Sequence, residues 1–230
     1  LGMTAVCPFA DSATLTRLVD DTVAAVIVEP VQGLAGARDC SPAFLRAARR
    51  ACDRAGAVLV FDEVQCGCGR TGAFTAAQAY GVLPDVLTLA KGIAGGLPMG
   101  AALIAEHVAE GIGSGDMGTT FGGGPVPAAA AVANLEVLRD ERLADRAAAL
   151  ERRLRGALTA LPGVSRVQGR GLLLGVVFDG PAKPVQRALF ERGVLVGSAE
   201  DPRVLRLLPP LVLTEAEADE FVGALREVLT

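Results

Sequence analysis

Short, continuous apolar runs, each stopped abruptly by a polar residue, constrain the fold of this chain more than any other feature. Residues 23–28 read Val-Ala-Ala-Val-Ile-Val and stop at Glu29-Pro30. Residues 57–61 read Ala-Val-Leu-Val-Phe and stop at Asp62, and residues 85–90 stop at Lys91. Runs this short, with no polar alternation, fit strands buried on both faces, as in parallel sheets. All fall far short of the ~18 apolar residues a membrane span needs. Between the first two lies a helix signal: Ser41 as N-cap, Pro42 at the first helical position, and Gly56 as the stop. Phe44, Ala48, Ala51 and Cys52 would form its apolar face. A fourth strand-like run spans residues 100–105. Strands interleaved with helices predict an α/β domain with a mostly parallel sheet.

The character changes after Gly122-Gly123-Gly124-Pro125. Residues 126–158 are rich in Ala, Leu, Arg and Glu and read as a long helical stretch with breaks. Strand-like pieces follow at 164–167 and 172–178, then a helix near 185–192 and short strands around Val194 and Val204. Thr214 with Glu217 makes a capping box for a last helix, whose apolar side carries Phe221, Leu225 and Leu229. This pattern predicts a sheet domain over residues 1–135 and a smaller α+β domain over 136–230. A length of 230 residues accommodates one large domain or one and a half.

Charge and composition exclude several function classes. Lys plus Arg is 22 against 26 Asp plus Glu, so the basic surplus of a nucleic-acid protein is lacking. Trp is absent and aromatics are 4%, which argues against binding single strands by stacking. The opening LGMTAVCPFADSA has no basic segment of the kind that begins a secretory signal. Five cysteines without regular spacing suggest reduced thiols and a cytoplasmic setting. Cys66 and Cys68 have no second pair or nearby histidine to complete a metal site. His107, the sole histidine, lies in the polar helix start Ala105-Glu106-His107 and reads as a solvated surface residue. Triad hydrolysis is thereby nearly removed. Gly67-Cys68-Gly69-Arg70-Thr71-Gly72 matches G-x-G-x-x-G, but residues 63–66 separate it from the preceding strand. It reads as a tight loop that must approach something closely.

The stronger constellation is Asp62 and Lys91. Each stands at the carboxyl end of a strand, and in an open α/β sheet such ends share the edge where ligands bind. A partly desolvated amine there becomes a nucleophile toward carbonyls. Two strand ends pointing to water, or a simple ion pair, fit the spacing equally well.

The local words around those residues go further. Val28-Glu29-Pro30-Val31-Gln32-Gly33, Phe61-Asp62-Glu63-Val64-Gln65-Cys66-Gly67-Cys68-Gly69-Arg70-Thr71-Gly72, Ala90-Lys91-Gly92 and Thr119-Thr120-Phe121-Gly122-Gly123 occur in that order. Together they resemble the class III aminotransferases, most closely the acetylornithine/ornithine aminotransferase branch. The resemblance implies the aspartate-aminotransferase fold type, a dimer in the full-length form, and pyridoxal 5'-phosphate as cofactor. It implies that Lys91 forms the internal Schiff base and shuttles a proton, while Asp62 pairs with the ring nitrogen and keeps the ring an electron sink. Glu63, Val64 and Gln65 would belong to the cofactor-binding segment, with Gln65 on the ring hydroxyl side. Thr120 would donate to the cofactor phosphate, and Thr119 would sit at the neighbouring substrate position. Arg206, in Leu205-Arg206-Leu207-Leu208-Pro209-Pro210, matches the arginine that binds the substrate carboxylate by its two-pronged guanidinium. The implied partners are a small amino donor, such as acetylornithine or ornithine, and 2-oxoglutarate. Neither nucleic acid nor a membrane is implied.

Two departures stand out. Leu34 occupies a position where related chains usually carry Glu, an acid able to pair with the carboxylate-binding arginine. Its absence predicts an Arg206 left unlocked. Gln168, in Val167-Gln168-Gly169-Arg170-Gly171, replaces an arginine common in the family. No phosphate-cradling Gly/Ser/Thr loop and no ring-stacking aromatic is recognisable before Val23. The chain therefore looks like the C-terminal portion of an aminotransferase, with weak or no turnover expected from it alone. A non-catalytic dimerising remnant and a pyridoxal-phosphate aminomutase are the competing readings.

Overall fold

The computed structural model describes residues 4–120 and 122–230. In chain order its elements are α1 (Ser12–Leu18), β1 (Ala25–Val28), β2 (Val31–Gln32), β3 (Arg38–Asp39), α2 (Pro42–Ala55), β4 (Val58–Asp62), α3 (Ala76–Tyr80) and β5 (Val86–Leu89). A 3-10 turn (Lys91–Ala94), β6 (Ala101–Ile104), α4 (Glu106–Ala109), α5 (Pro125–Asp140) and α6 (Leu143–Thr159) follow. The chain ends with β7 (Val164–Arg170), β8 (Leu173–Phe178), α7 (Ala182–Glu191), β9 (Gly197–Ser198), β10 (Val204–Leu207) and α8 (Glu215–Leu229). It divides into two compact units, Leu1–Pro30 with Cys40–Gln65 and Ala76–Leu135, and Val31–Asp39 with Cys66–Thr75 and Glu136–Thr230. Two excursions from the amino-terminal half thus fold with the second unit. Among the described residues no helix is long and apolar enough to cross a membrane.

The first unit is built on a sheet of order β1-β4-β5-β6. β1 and β5 run parallel to β4, and β6 pairs antiparallel with β5. Ser41 caps α2 by accepting from the N–H of Phe44 at 3.1 Å, and Gly56 ends the helix at φ +71°. The apolar face of α2 (Phe44, Leu45, Ala48, Ala51, Cys52) is buried, and the helix packs on β1 and β4. Leu59 and Phe61 of β4 and Leu87 and Leu89 of β5 supply the sheet's side of the core. The outer strands depart from the sequence expectation of full burial. Ile27 is 71% exposed and Leu103 51%, because β1 and β6 are the sheet's edges and one face of each has no covering element among the described residues.

Asp85, at the start of β5, organises the opposite end of this sheet. Its carboxylate accepts from the Leu59 N–H at 2.7 Å and from Arg49 at 2.8 Å. The Nε2 of His107 lies 3.5 Å away, with an exposed side chain, so His107 belongs to a surface network as its polar neighbours suggested.

The second unit carries an antiparallel sheet of order β7-β8-β10-β9. Its two faces have opposite roles. Leu174, Val176, Phe178, Leu205 and Leu207 point into the core formed with α6, α7 and α8. The capping box at Thr214 forms, and Leu225 is buried together with Ala218 and Val222. Phe221 and Leu229 border that core instead of filling it. On the other face Arg206 of β10 stands between two glycines, opposite Gly175 of β8 and Gly197 of β9. The β2–β3 hairpin lies across this face. The carbonyl of Gly36 abuts the position a Cβ on Gly175 would occupy, and the amide of Gln168 donates to that carbonyl at 2.8 Å. The Asp39 carboxyl accepts from the Gly169 N–H at 3.3 Å, and burial pushes its pKa up.

The Gly67–Gly72 segment is the close-approach loop its sequence predicted. A Cβ on Gly69 would lie 3.2 Å from Leu138, and one on Gly72 would lie 3.0 Å from Ala148. Both glycines have positive φ, so small size and backbone freedom are needed together. Arg70, at the loop's centre, donates to the carbonyl oxygens of Leu172 and Pro209, and burial lowers its pKa.

Candidate functional site

Asp62 and Lys91 come from neighbouring parallel strands and leave the sheet at the same edge. Asp62 is the last residue of β4, and Lys91 stands two residues beyond Leu89, the last of β5. The Asp62 carboxylate is half-buried and fixed in place. Its Oδ1 accepts from the N–H of Val64 at 3.0 Å and from Oγ1 of Thr88 at 3.2 Å, and Thr88 is its register partner on β5. Thr88 was missed in the sequence, although a hydroxyl inside the aliphatic run Val86-Leu87-Thr88-Leu89 is the signal that marks it.

Lys91 differs from the expectation of partial desolvation: it is exposed. Its backbone carries the information instead. At φ +48° it lies in the left-handed region, which costs a side-chain-bearing residue about 1–2 kcal/mol. Strain of this kind persists only where the surroundings impose it, and it concentrates at functional positions. Ile93 and Ala94, both buried, anchor the turn immediately behind the lysine. Among the described residues no hydrogen bond or ion pair engages the Lys91 amine, which leaves it free to react.

The other expected residues divide. Val64 supplies the N–H that holds Asp62, and Gln65 is half-buried just beyond it. Glu63 is engaged elsewhere. Its carboxylate is turned inward, 1% exposed, and accepts from the N–H groups of Ala76 at 2.5 Å and Ala77 at 2.7 Å. Asp62 closes β4 and Glu63 follows it, and their carboxylates have separate partners, Val64 and Thr88 for the first and Ala76 and Ala77 for the second. Thr119 and Thr120 are exposed in the loop between α4 and α5. The Thr119 side chain occupies the place a Cβ on Gly122 would take, so a larger residue there would displace it. Phe121 lies outside the described residues.

Arg206 belongs to the second unit. Its Nε is buried without a hydrogen-bond partner among the described residues. A buried donor left unmade costs ~1–3 kcal/mol, more for a charged group, and an anion would satisfy it. Gly197 leaves room beside the guanidinium, whereas the place of a Cβ on Gly175 is taken by the Gly36 carbonyl. A Cβ on Gly197 would lie 3.4 Å from Nε. Leu34 sits in the hairpin loop that crosses this same sheet face, 68% exposed, its carbonyl accepting from the Glu200 N–H at 3.1 Å.

Asp62 and Lys91 stand in the first unit and Arg206 in the second, and comparison with known proteins specifies the class to which a chain carrying them belongs. Residues 7–229 match the family described as Aminotransferase class-III, and the chain belongs to that family. It is 48% identical over 224 residues to the acetylornithine aminotransferase of Mycobacterium tuberculosis, covering 96% of this chain and 56% of that protein. The acetylornithine aminotransferase of Methanocaldococcus jannaschii is 39% identical, with 97% and 57% covered. In three dimensions the chain resembles the ornithine aminotransferase of Toxoplasma gondii, with a TM-score of 0.91 at 34% identity, over 98% of this chain and 56% of that one. The chain thus spans just over half the length of the curated relatives it matches.

The donor set suits one end of pyridoxal phosphate well. An acid locked on Val64 and Thr88 suits a protonated ring nitrogen, and an amine just beyond the end of the neighbouring strand suits the aldehyde. For the phosphate, the family motif offers the exposed hydroxyl of Thr120.

Proposed function

We propose that this chain carries the amine, the ring acid and the carboxylate anchor of a pyridoxal-phosphate aminotransferase that moves an amino group from an ornithine-like donor to 2-oxoglutarate. The observation that carries the reading is Lys91 in a strained left-handed conformation just beyond the strand that neighbours the immobilised Asp62. The names of the relatives, acetylornithine and ornithine aminotransferases, support the substrate class.

When bound, the cofactor supplies an electron sink that makes the hydrogen on the substrate's amino-bearing carbon acidic. Lys91 would be the residue that takes up that proton on its ε-nitrogen and gives it back. Asp62, its carboxylate held by the Val64 N–H and the Thr88 hydroxyl, would be the residue that holds the ring nitrogen. Gln65 donates toward the ring hydroxyl, Thr120 toward the phosphate, and Thr119 lines the substrate position. Arg206 binds the substrate carboxylate through its guanidinium, whose buried Nε has no hydrogen-bond partner among the described residues. The full-length form acts as a homodimer. Alone, the 230-residue chain binds the cofactor weakly and turns over little, because phosphate anchoring supplies much of the affinity.

Reduction with borohydride after incubation with millimolar pyridoxal phosphate tests this. The chain has two lysines, Lys91 and Lys183, and peptide mapping should place the adduct on Lys91. Equal labelling of both refutes the reading. Glutamate formation should appear when the part of a full-length relative that this chain does not match is supplied in trans.

Leu34 gives this reading a specificity consequence. No acid stands at that position on the Arg206 face, so the arginine stays available to each carboxylate in turn. In the reconstituted enzyme, Leu34→Glu should shift the ratio of kcat/KM for donor and acceptor about tenfold, the effect of one close charge pair. An unchanged ratio would refute the idea.

A further inference from the structure

We infer that Asn134 is a positioning residue for Lys91. The inference rests on the reading of Lys91 as the reactive amine. Asn134 lies in the second half of α5, and its Nδ2 donates to the carbonyls of Gly92 at 2.8 Å and Ile93 at 3.2 Å. These are the two peptide groups immediately after the lysine. The turn's internal bonds run between the same residues. Ile93 N–H donates to Ala90 at 3.1 Å, and Gly95 N–H reaches Gly92 at a long 3.4 Å.

The residue type is informative. Asn is a poor helix former because its amide competes for backbone groups, and here it interrupts the run Ala128-Ala129-Ala130-Ala131-Val132-Ala133. Nothing in α5 itself benefits from an amide at that place. The benefit lies across the gap. Two carbonyls of a short 3-10 turn converge on one NH2 group, and only an amide oriented with its nitrogen toward them fits. Ile93 and Ala94 hold the turn from its buried side while Asn134 holds it by its carbonyls. Between them they keep the turn closed and Lys91 in its left-handed backbone conformation. Without the clamp, Lys91 relaxes toward an ordinary φ and its side chain swings out of register with Asp62.

Two variants and two readouts test this on the 230-residue chain. Asn134→Ala removes the amide and favours the helix, so folding is retained. Asn134→Asp keeps the shape but has no N–H to donate. Hydrogen exchange should speed up about fivefold at the amides of Ile93, Gly95 and Leu97 in both variants, with β4 unchanged. The Lys91-to-Lys183 adduct ratio, measured with pyridoxal phosphate and borohydride, should fall about fivefold in parallel. In that labelling the amine condenses with the aldehyde, water leaves, and borohydride reduces the carbon–nitrogen double bond to a secondary amine. Unchanged exchange overturns the clamp. Faster exchange with an unchanged ratio overturns the positioning role while leaving the lysine reading intact. Equal labelling of the two lysines in the unsubstituted chain overturns the lysine reading, and the positioning role with it.

Discussion

Glu63→Ala will destabilise the first unit by about 3 kcal/mol, read as a fall in its urea midpoint. The buried carboxylate takes the N–H groups of Ala76 and Ala77, the opening donors of α3, which have no intrahelical partner of their own. Both alanines are buried, so water cannot replace the lost acceptor without opening the structure. Each orphaned donor costs ~1–3 kcal/mol, and part of that is offset because a desolvated carboxylate is removed as well. Glu63→Gln keeps the shape but offers one acceptor, so about half the loss is expected. A midpoint change equivalent to under ~1 kcal/mol for the alanine variant would mean that the carboxylate does not hold this turn.

The pH dependence of the same pair has a definite sign. Burial, the larger influence, raises the Glu63 pKa, and the two N–H bonds oppose it. The folded chain therefore holds this proton more tightly than the unfolded chain. The stability so contributed is fully present below the unfolded value of ~4.3 and is lost as pH rises through the folded pKa. Wild type minus Glu63→Gln should accordingly become less favourable on raising the pH from about 4, then level off. A difference that grows with pH would show the N–H bonds outweighing burial.

What the sequence disclosed and what it concealed follow from the range of the interactions. Ser41-Pro42 with Gly56, and Thr214 with Glu217, are local devices, and α2 and α8 begin and end where those residues dictate. Asp62 and Lys91 stand out because polar residues ending apolar runs mark the carboxyl edge whatever else surrounds them. The burial of Glu63 is a different matter: its carboxylate takes the Ala76 and Ala77 N–H groups, a contact across more than ten positions that adjacency in a motif does not announce. The excursion Val31–Asp39 was invisible for a different reason. Its allegiance to the second unit depends on contacts of Gly36 with Gly175 and Val204, well over a hundred positions along the chain, and no local pattern encodes them. The exposure of Ile27 and Leu103 likewise reflects which strands end up as edges, a property of sheet order and not of the apolar runs themselves.

Gly175→Ala is the second large effect, and it separates the two faces of the second sheet. Gly175 is opposite Arg206, and a methyl there would overlap the carbonyl of Gly36 and lie 3.1 Å from Val204. Backbone cannot rotate away as a flexible side chain can, so either the strand or the hairpin must move. Overpacking against fixed backbone costs about 3 kcal/mol, and the hairpin, held by short β2–β3 pairing and the Gln168 amide, is the part that yields. Gly156→Ala provides the contrast. That glycine sits inside α6 with nothing within 4 Å of a Cβ, so alanine should stabilise by about 0.5–1 kcal/mol through helix propensity alone. The two substitutions add the same methyl to the same unit with opposite signs. Hydrogen exchange gives the spatial check. Gly175→Ala should accelerate the Glu200 amide, which donates to Leu34, while Val176 and Val177 of β8 stay protected. Such a pattern would show the Arg206 face uncovered over an intact core. Loss of protection throughout β8 would instead mean that the hairpin and the core fold as one cooperative unit, and that the loop carrying Leu34 cannot shift independently of the sheet beneath it.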